Sequence, residues 1–229
     1  MNVVEKVRAL TKPQYDLLKD WPHRWPHIQD VVEKSETLTR MENISSVVSC
    51  LIAGYCHDLG RVEEGKRKER GDPPLHHAVL SIEPTVRVLD EVDISGVDFD
   101  EIVEAVAIHS YRVYEGKNNV ARILQDADKM SGLSSWGIVS LTRYFAGVDY
   151  IDGEEILKNW KDKKKIRELS DFVLPQIEGG KIVEGVMKGL RIVTEWYDMF
   201  HTKSAKTLMT EDYEYLMKCK EFLAKKFNL

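Results

Sequence analysis

Cysteine is scarce in this chain and unpatterned. Cys50, Cys56 and Cys219 are the whole complement, and no two form a C-x-x-C pair. An odd, scattered set builds no disulfide framework and points to a reducing, cytoplasmic setting. Long apolar runs are missing as well. The most apolar stretch, Val47 to Cys56, is interrupted by Ser49 and Gly54 and falls far short of the roughly 20 residues that span a bilayer. The N-terminal segment carries Glu5, Lys6 and Arg8 in place of a signal-peptide core. No basic excess is present: the formal charge of −5 argues against a surface that coats nucleic acid. The runs Lys66–Arg67–Lys68 and Lys163–Lys164–Lys165 sit among acidic residues and read as solvated faces. The sequence also lacks a strand-like alternation, a linker rich in Pro, Ser or Gly, and a repeat of fixed period.

What is present is helical. A chain of 229 residues with 43% hydrophobic and 31% charged side chains is long enough for one large helical domain with a sizeable core. The first twenty residues predict one or two short helices divided near Pro13. A loop from Trp21 to Pro26 follows, and Pro26 suits the first turn of a helix running to about Met41. The next helix is expected over about 44–58, stopping at Leu59–Gly60. Gly65, Gly71 and Pro73–Pro74 make 60–74 read as a mobile loop. Further helices are expected at about 75–91, 99–111 and 118–133, then from Leu133 to Gly147, with Asp98 and Asp152 as N-caps. Three more helices follow Asp152, separated around Gly179–Gly180 and His201–Ala205. The simplest organisation is one all-α domain over 1–229, with a core at about 20–135 and a C-terminal helical extension at about 136–229. The amphipathic stretch from Asp212 to Phe227, with Tyr213, Leu216, Met217 and Phe222, would serve core packing or a homodimer.

The chemistry lies in where histidines and acids fall on these helices. Asp58 continues the line Val47–Leu51–Tyr55 at the end of the most apolar helix. An unpaired carboxylate there would carry a large desolvation penalty, which a bound cation removes. His57 beside it offers an imidazole nitrogen suited to first-row metals. His27 lies on the line His27–Val31–Ser35–Leu38, His109 continues Ile102–Val106, and Asp128 continues Val120–Leu124. Each alone is ordinarily a hydrogen-bonded core residue or a cap. Together they send metal-competent side chains from separate helices toward apolar faces, as helical bundles do when they build metal sites.

His27, then Ala53–Gly54–Tyr55–Cys56–His57–Asp58–Leu59–Gly60–Arg61, then Asp126–Ala127–Asp128–Lys129–Met130 resembles the H…HD…D signature of the HD-domain superfamily of metal-dependent phosphohydrolases. The resemblance covers about residues 20–135, and the segment from Phe200 to Ala205 with the helix after it is similar to the tail of uncharacterised bacterial and archaeal members. It implies a helical HD-domain bundle with additional C-terminal helices. It also implies His27, His57, Asp58 and Asp128 as ligands of a divalent ion, drawn from Mn, Mg, Fe, Co, Ni and Zn. His23 competes with His27, and Asp126 with Asp128; the family pattern favours His27 and Asp128. The stretches Leu75–His76–His77–Ala78–Val79–Leu80–Ser81 and Val106–Ala107–Ile108–His109–Ser110 are similar to the family's "H–A–x–x–S" and "I–x–x–H–S" segments. By that likeness His77 and His109 hold a second ion, with Asp58 bridging, or contact substrate phosphate in one-ion members; an exposed His77 with no metal role is the third reading.

The activity so implied is hydrolysis of a phosphomonoester or phosphodiester of a small molecule, a nucleotide first of all, by metal-activated water. Asp58 would be ligand and water-orienting group. Lys129 and Arg61 are the cations nearest the ligands in sequence and candidates for phosphate charge, or equally for ion pairs with neighbouring acids. Arg112 and Lys66 are weaker candidates for the same task. The polar segment from Arg61 to Pro74 would be a lid. Two alternatives share these residues: a di-iron oxygenase of the same fold, and a non-catalytic nucleotide-binding or signalling domain.

Overall fold

The computed structural model describes residues 2–19, 21–134 and 162–229. Among these, every regular element is a helix. The described residues divide into two compact units, one through Asp128 and one from Lys129 onward.

In the first unit, α1 (Val3–Asp16) opens with a capping box between Asn2 and Glu5 and runs through Pro13 without dividing there. The expected break is absent: Pro13 forfeits one backbone donor, and Val7, Thr11 and Tyr15 still share one buried face. A 3₁₀ turn at Trp21–His23 leads to α2 (Trp25–Met41), with Pro26 in its first turn as the sequence predicts. Helix α3 (Val47–Cys56) is the apolar centre, packing against α1, α2 and α7 (Phe99–Ile108). Cys50, Ile52, Ala53 and Cys56 are fully buried, and burial pushes both thiols up to about 12, so they behave as small hydrophobes. The buried Tyr15 hydroxyl donates to the Tyr55 carbonyl at 2.8 Å, satisfying a C-terminal acceptor of α3.

Helix α3 ends at Cys56, two residues earlier than expected, and His57 keeps helical dihedrals just beyond it. Asp58 therefore lies in a turn, beyond the helical face that the sequence assigns to it. Gly60 does not act as a left-handed stop either, since its φ is −71°. Its lack of a side chain serves a close approach: a Cβ there would lie 2.3 Å from the His77 carbonyl oxygen and 2.5 Å from the Ser81 nitrogen. Ser81, fully buried, accepts the Gly60 N–H at 2.8 Å and reaches the His57 carbonyl at 2.7 Å. This contact clamps the 57–60 turn onto α5 (His77–Leu80).

The segment expected to be a mobile loop is instead α4 (Arg61–Arg70), closed by Gly71 in the left-handed conformation, with φ 72°. Glu63 and Glu64 in its first turn and Arg67, Lys68 and Arg70 in its last complement the helix dipole. None of its residues is buried, so it carries no apolar stripe to reveal it. The region read as one helix at about 75–91 is two, α5 and α6 (Ile82–Asp90), joined at Ser81. Helix α7 starts at Asp98, whose carboxylate accepts the Glu101 N–H. In α8 (Asn119–Leu133), the buried Gln125 donates to the carbonyls of Ile108 and Tyr111, tying down the end of α7.

The second unit holds the end of α8, α9 (Lys163–Val173), α10 (Lys181–Asp198) and α11 (Lys203–Phe227). The buried Asp212 of α11 pairs with Lys163 at 2.7 Å and Arg167 at 2.9 Å, joining α9 to α11. Of the expected packing residues on α11, Leu216 is buried and Phe222 stays 43% exposed. The helix read from Leu133 to Gly147 and the Asp152 cap fall mainly outside the described residues. Among the described residues no helix is long and apolar enough to cross a membrane.

The Gly60 contact gives a direct test. Gly60→Ala should lower stability by about 3 kcal/mol, because the new methyl meets backbone that cannot rotate away. Urea unfolding reads this, and a loss under about 0.5 kcal/mol would contradict the clamp.

Candidate metal centre

The first turn of α2, the C-terminal ends of α3 and α7, the start of α5 and the part of α8 that carries Asp128 converge within the first unit. His57 lies at the end of α3, and its ring is fixed by Nδ1, which donates to the Gly54 carbonyl at 2.8 Å. His109 follows α7, and its Nδ1 donates in the same way to the Val106 carbonyl at 2.7 Å. These carbonyl partners assign the tautomer of both rings, leaving each Nε2 with a lone pair. Both lone pairs point to carboxylate oxygens. His57 Nε2 is 3.6 Å from Asp58 Oδ2 and 4.0 Å from Asp128 Oδ1. His109 Nε2 is 3.6 Å from Asp58 Oδ1.

The two oxygens of Asp58 face different partners. Oδ2 lies toward His27 Nε2 at 3.8 Å and His57, with Asp128 Oδ1 a further 3.5 Å from His27 Nε2. The His27 and His57 Nε2 atoms are themselves 3.3 Å apart. Oδ1 lies toward His77 Nε2 at 3.3 Å and His109. Two sets of donor atoms result, His27–His57–Asp128 and His57–Asp58–His109, each within 4.8 Å of one another.

Burial sets the electrostatics. Asp58 is 1% exposed. Burial alone would raise its carboxyl, but the Arg61 guanidinium, and after it His57, hold it well below the ordinary carboxylate range. Arg61 Nε meets Oδ2 at 2.6 Å. Burial lowers His27 to about 3 and His77 to about 2, and lowers His57 as well. Asp128, whose side chain is 28% exposed, is raised by burial but brought below its ordinary value by His57 and His27. Neutral imidazoles and ionised carboxylates are the protonation states that metal ligation requires.

The fit to a cation rests on what the protein leaves unpaired. Asp58 Oδ1 and His109 Nε2 are buried and neither has a hydrogen-bond partner. A lone pair therefore faces a carboxylate oxygen with no proton between them. A divalent ion among these atoms removes that repulsion and supplies the missing partner to both. His27, His57 and Asp128 could hold an ion, as could His57, Asp58 and His109, and His77 Nε2 lies 3.3 Å from Asp58 Oδ1 beside the second group.

All six histidine and aspartate side chains singled out in the sequence thus come together. His23 does not join the donor sets; its ring stands edge-on to that of His27 at 5.5 Å. Asp126 is fully buried but outside both sets. His76 caps α5, its Nδ1 accepting the Ala78 N–H. Arg61 is joined to Asp58 directly, while Lys129 is buried and follows Asp128 across the division between the two units. Three contacts carry no signal in composition or periodicity: the Ser81 clamp, Ser110 Oγ at 3.0 Å from His77 Nε2, and Glu64 at the His77 backbone.

These protonation states make metal-free stability pH-dependent. Against an unfolded histidine value of 6.5, the folded values of about 3 and about 2 mean that the unfolded chain takes up more protons as pH falls. The stability these groups contribute is complete above the unfolded value and is lost as pH falls toward the folded ones. The urea midpoint of metal-free protein should drop between about pH 7.5 and 5, and less steeply in His77→Asn. Equal slopes in the two proteins would count against buried neutral imidazoles.

Searches among curated proteins and among solved structures found no match. The family "HD domain" matches residues 24–133, a span that contains every member of the donor sets. Residues 24–133 are therefore an HD domain.

Proposed function

We propose that the chain is a metal-dependent phosphohydrolase that cleaves a phosphoester of a small molecule, a nucleotide, at the Asp58 centre. HD domains are in general metal-dependent hydrolases of this kind. The observation that carries the reading for this chain is the pair of unpartnered buried atoms, Asp58 Oδ1 and His109 Nε2, facing each other at 3.6 Å.

A bound divalent ion supplies acidified water and polarisation of the phosphorus–oxygen bond. The chain's own residues do the rest. Asp58 presents Oδ2 to His27 and His57 and Oδ1 to His77 and His109, and would hold the ion among these rings. The carbonyls of Gly54 and Val106 hold the His57 and His109 rings in one orientation, which limits reorganisation during the reaction. Arg61 keeps Asp58 ionised and is assigned to neutralise the phosphate charge of the substrate. The burial of His27, His57 and His109 excludes bulk water from one side of the centre, which strengthens these electrostatic contacts.

Phosphate release from nucleoside mono-, di- and triphosphates and model phosphodiesters, with Mn, Mg, Co, Ni or Fe added, tests the proposal. Activity should require metal, and Asp58→Ala should lower the rate by more than the roughly 10–100-fold expected of an outer contact. Metal-loaded protein that hydrolyses none of these, or an Asp58→Ala protein with the wild-type rate, would refute it.

A further inference from the structure

The imidazoles of this centre are not all held in the same way. His57 and His109 donate Nδ1–H to backbone carbonyls of their own helices, at 2.8 and 2.7 Å. No mutation of a side chain removes those partners. His77 differs, because it opens the four-residue helix α5 and has no preceding turn to supply a carbonyl. Its Nδ1 faces the carboxylate of Glu64, with Oε1 at 3.6 Å. The same oxygen accepts the His77 backbone N–H at 3.2 Å.

Glu64 is also within ion-pair distance of Arg61, Oε2 to Nη1 at 3.8 Å. A closed ring results: Asp58 to Arg61, Arg61 to Glu64, Glu64 to His77, and His77 Nε2 back to Asp58 Oδ1 at 3.3 Å. Glu64 contributes this from α4, a helix with no buried residue, and its own side chain is 39% exposed. No packing role accounts for it.

We infer that Glu64 is a positioning residue that prepares His77 as a ligand, by accepting its Nδ1–H so that Nε2 keeps a lone pair toward Asp58. The inference rests on the two-ion reading of the centre. The 3.6 Å separation is longer than a closed hydrogen bond, and a small rotation of the exposed carboxylate closes it while the backbone contact holds. Ser110 agrees with this tautomer, since its hydroxyl lies 3.0 Å from Nε2 and can donate to the lone pair until an ion replaces it. A carboxylate partner also makes an imidazole a stronger donor than a carbonyl partner does. Occupancy of the His77 side therefore depends on one exposed side chain, whereas the His57 side depends on backbone.

The experiment pairs zinc titration with long-range proton–nitrogen NMR of the histidine rings in the zinc-loaded full chain. In the wild type, His77 should carry its proton on Nδ1, and two ions should bind. Glu64→Ala should weaken the second ion by about 10–100-fold and leave the first unchanged. Glu64→Gln keeps an acceptor oxygen without the charge and should restore the Nδ1–H signal and much of the affinity. Equal weakening of both ions, or unchanged binding in Glu64→Ala, would overturn the inference. A wild type that takes one ion at saturating zinc refutes the two-ion reading itself. The His77 tautomer then decides Glu64 alone: a proton on Nδ1 in the wild type that is lost in Glu64→Ala upholds it, and a proton on Nε2 overturns it.

Discussion

A carboxylate removed from water must be met by positive charge or hydrogen-bond donors, and Asp58 at 1% exposure is the point where this fold has to meet that demand. Arg61 answers for one oxygen. The other oxygen faces the imidazoles of His77 and His109, and His109 is turned lone pair first by its own helix. The protein is therefore built with a deficit of positive charge at its core. A fold that spends α3, α5, α7 and α8 on surrounding such a deficit is organised to take up a cation there.

The surrounding structure follows from that requirement. Helix α3 is apolar enough to carry His57 into the core, and the Tyr15 hydroxyl satisfies a carbonyl near its end. The turn after it can approach α5 only because residue 60 has no Cβ. Ser81 closes the approach, and His77 is delivered to Asp58 as a consequence. Gln125 fixes the chain on either side of His109 from α8, the helix that also carries Asp128. Packing, turn geometry and hydrogen bonding thus converge on the placement of a few nitrogen and oxygen atoms.

Much of this was legible in the sequence where a periodic apolar face or a strong cap marks an element. Helix α2 matches its expected bounds because Pro26 and a buried line from His27 to Leu38 frame it. His27, His57, His109 and Asp128 were visible as polar residues on apolar lines. Asp58 sits in a turn past α3 and not on the helical face from which the sequence picks it out, and it reaches the buried donor cluster from there. Helix α4 was hidden because its stability comes from charges at its two ends and not from burial, and a polar run with two glycines resembles a loop. Glu64 was hidden with it. Its role depends on the N-terminus of α5 lying against the first turn of α4, a tertiary relation that periodicity does not encode.

The most direct test of the account is an anomalous-scattering measurement on crystals of the full chain grown with manganese. The unmet charge at Asp58 predicts an ion at roughly 2.0–2.3 Å from nitrogens of His27 and His57 and oxygens of Asp58 and Asp128, with a second beside Asp58, His77 and His109. Saturating manganese that leaves no peak among these side chains, or places its peaks elsewhere, would contradict it.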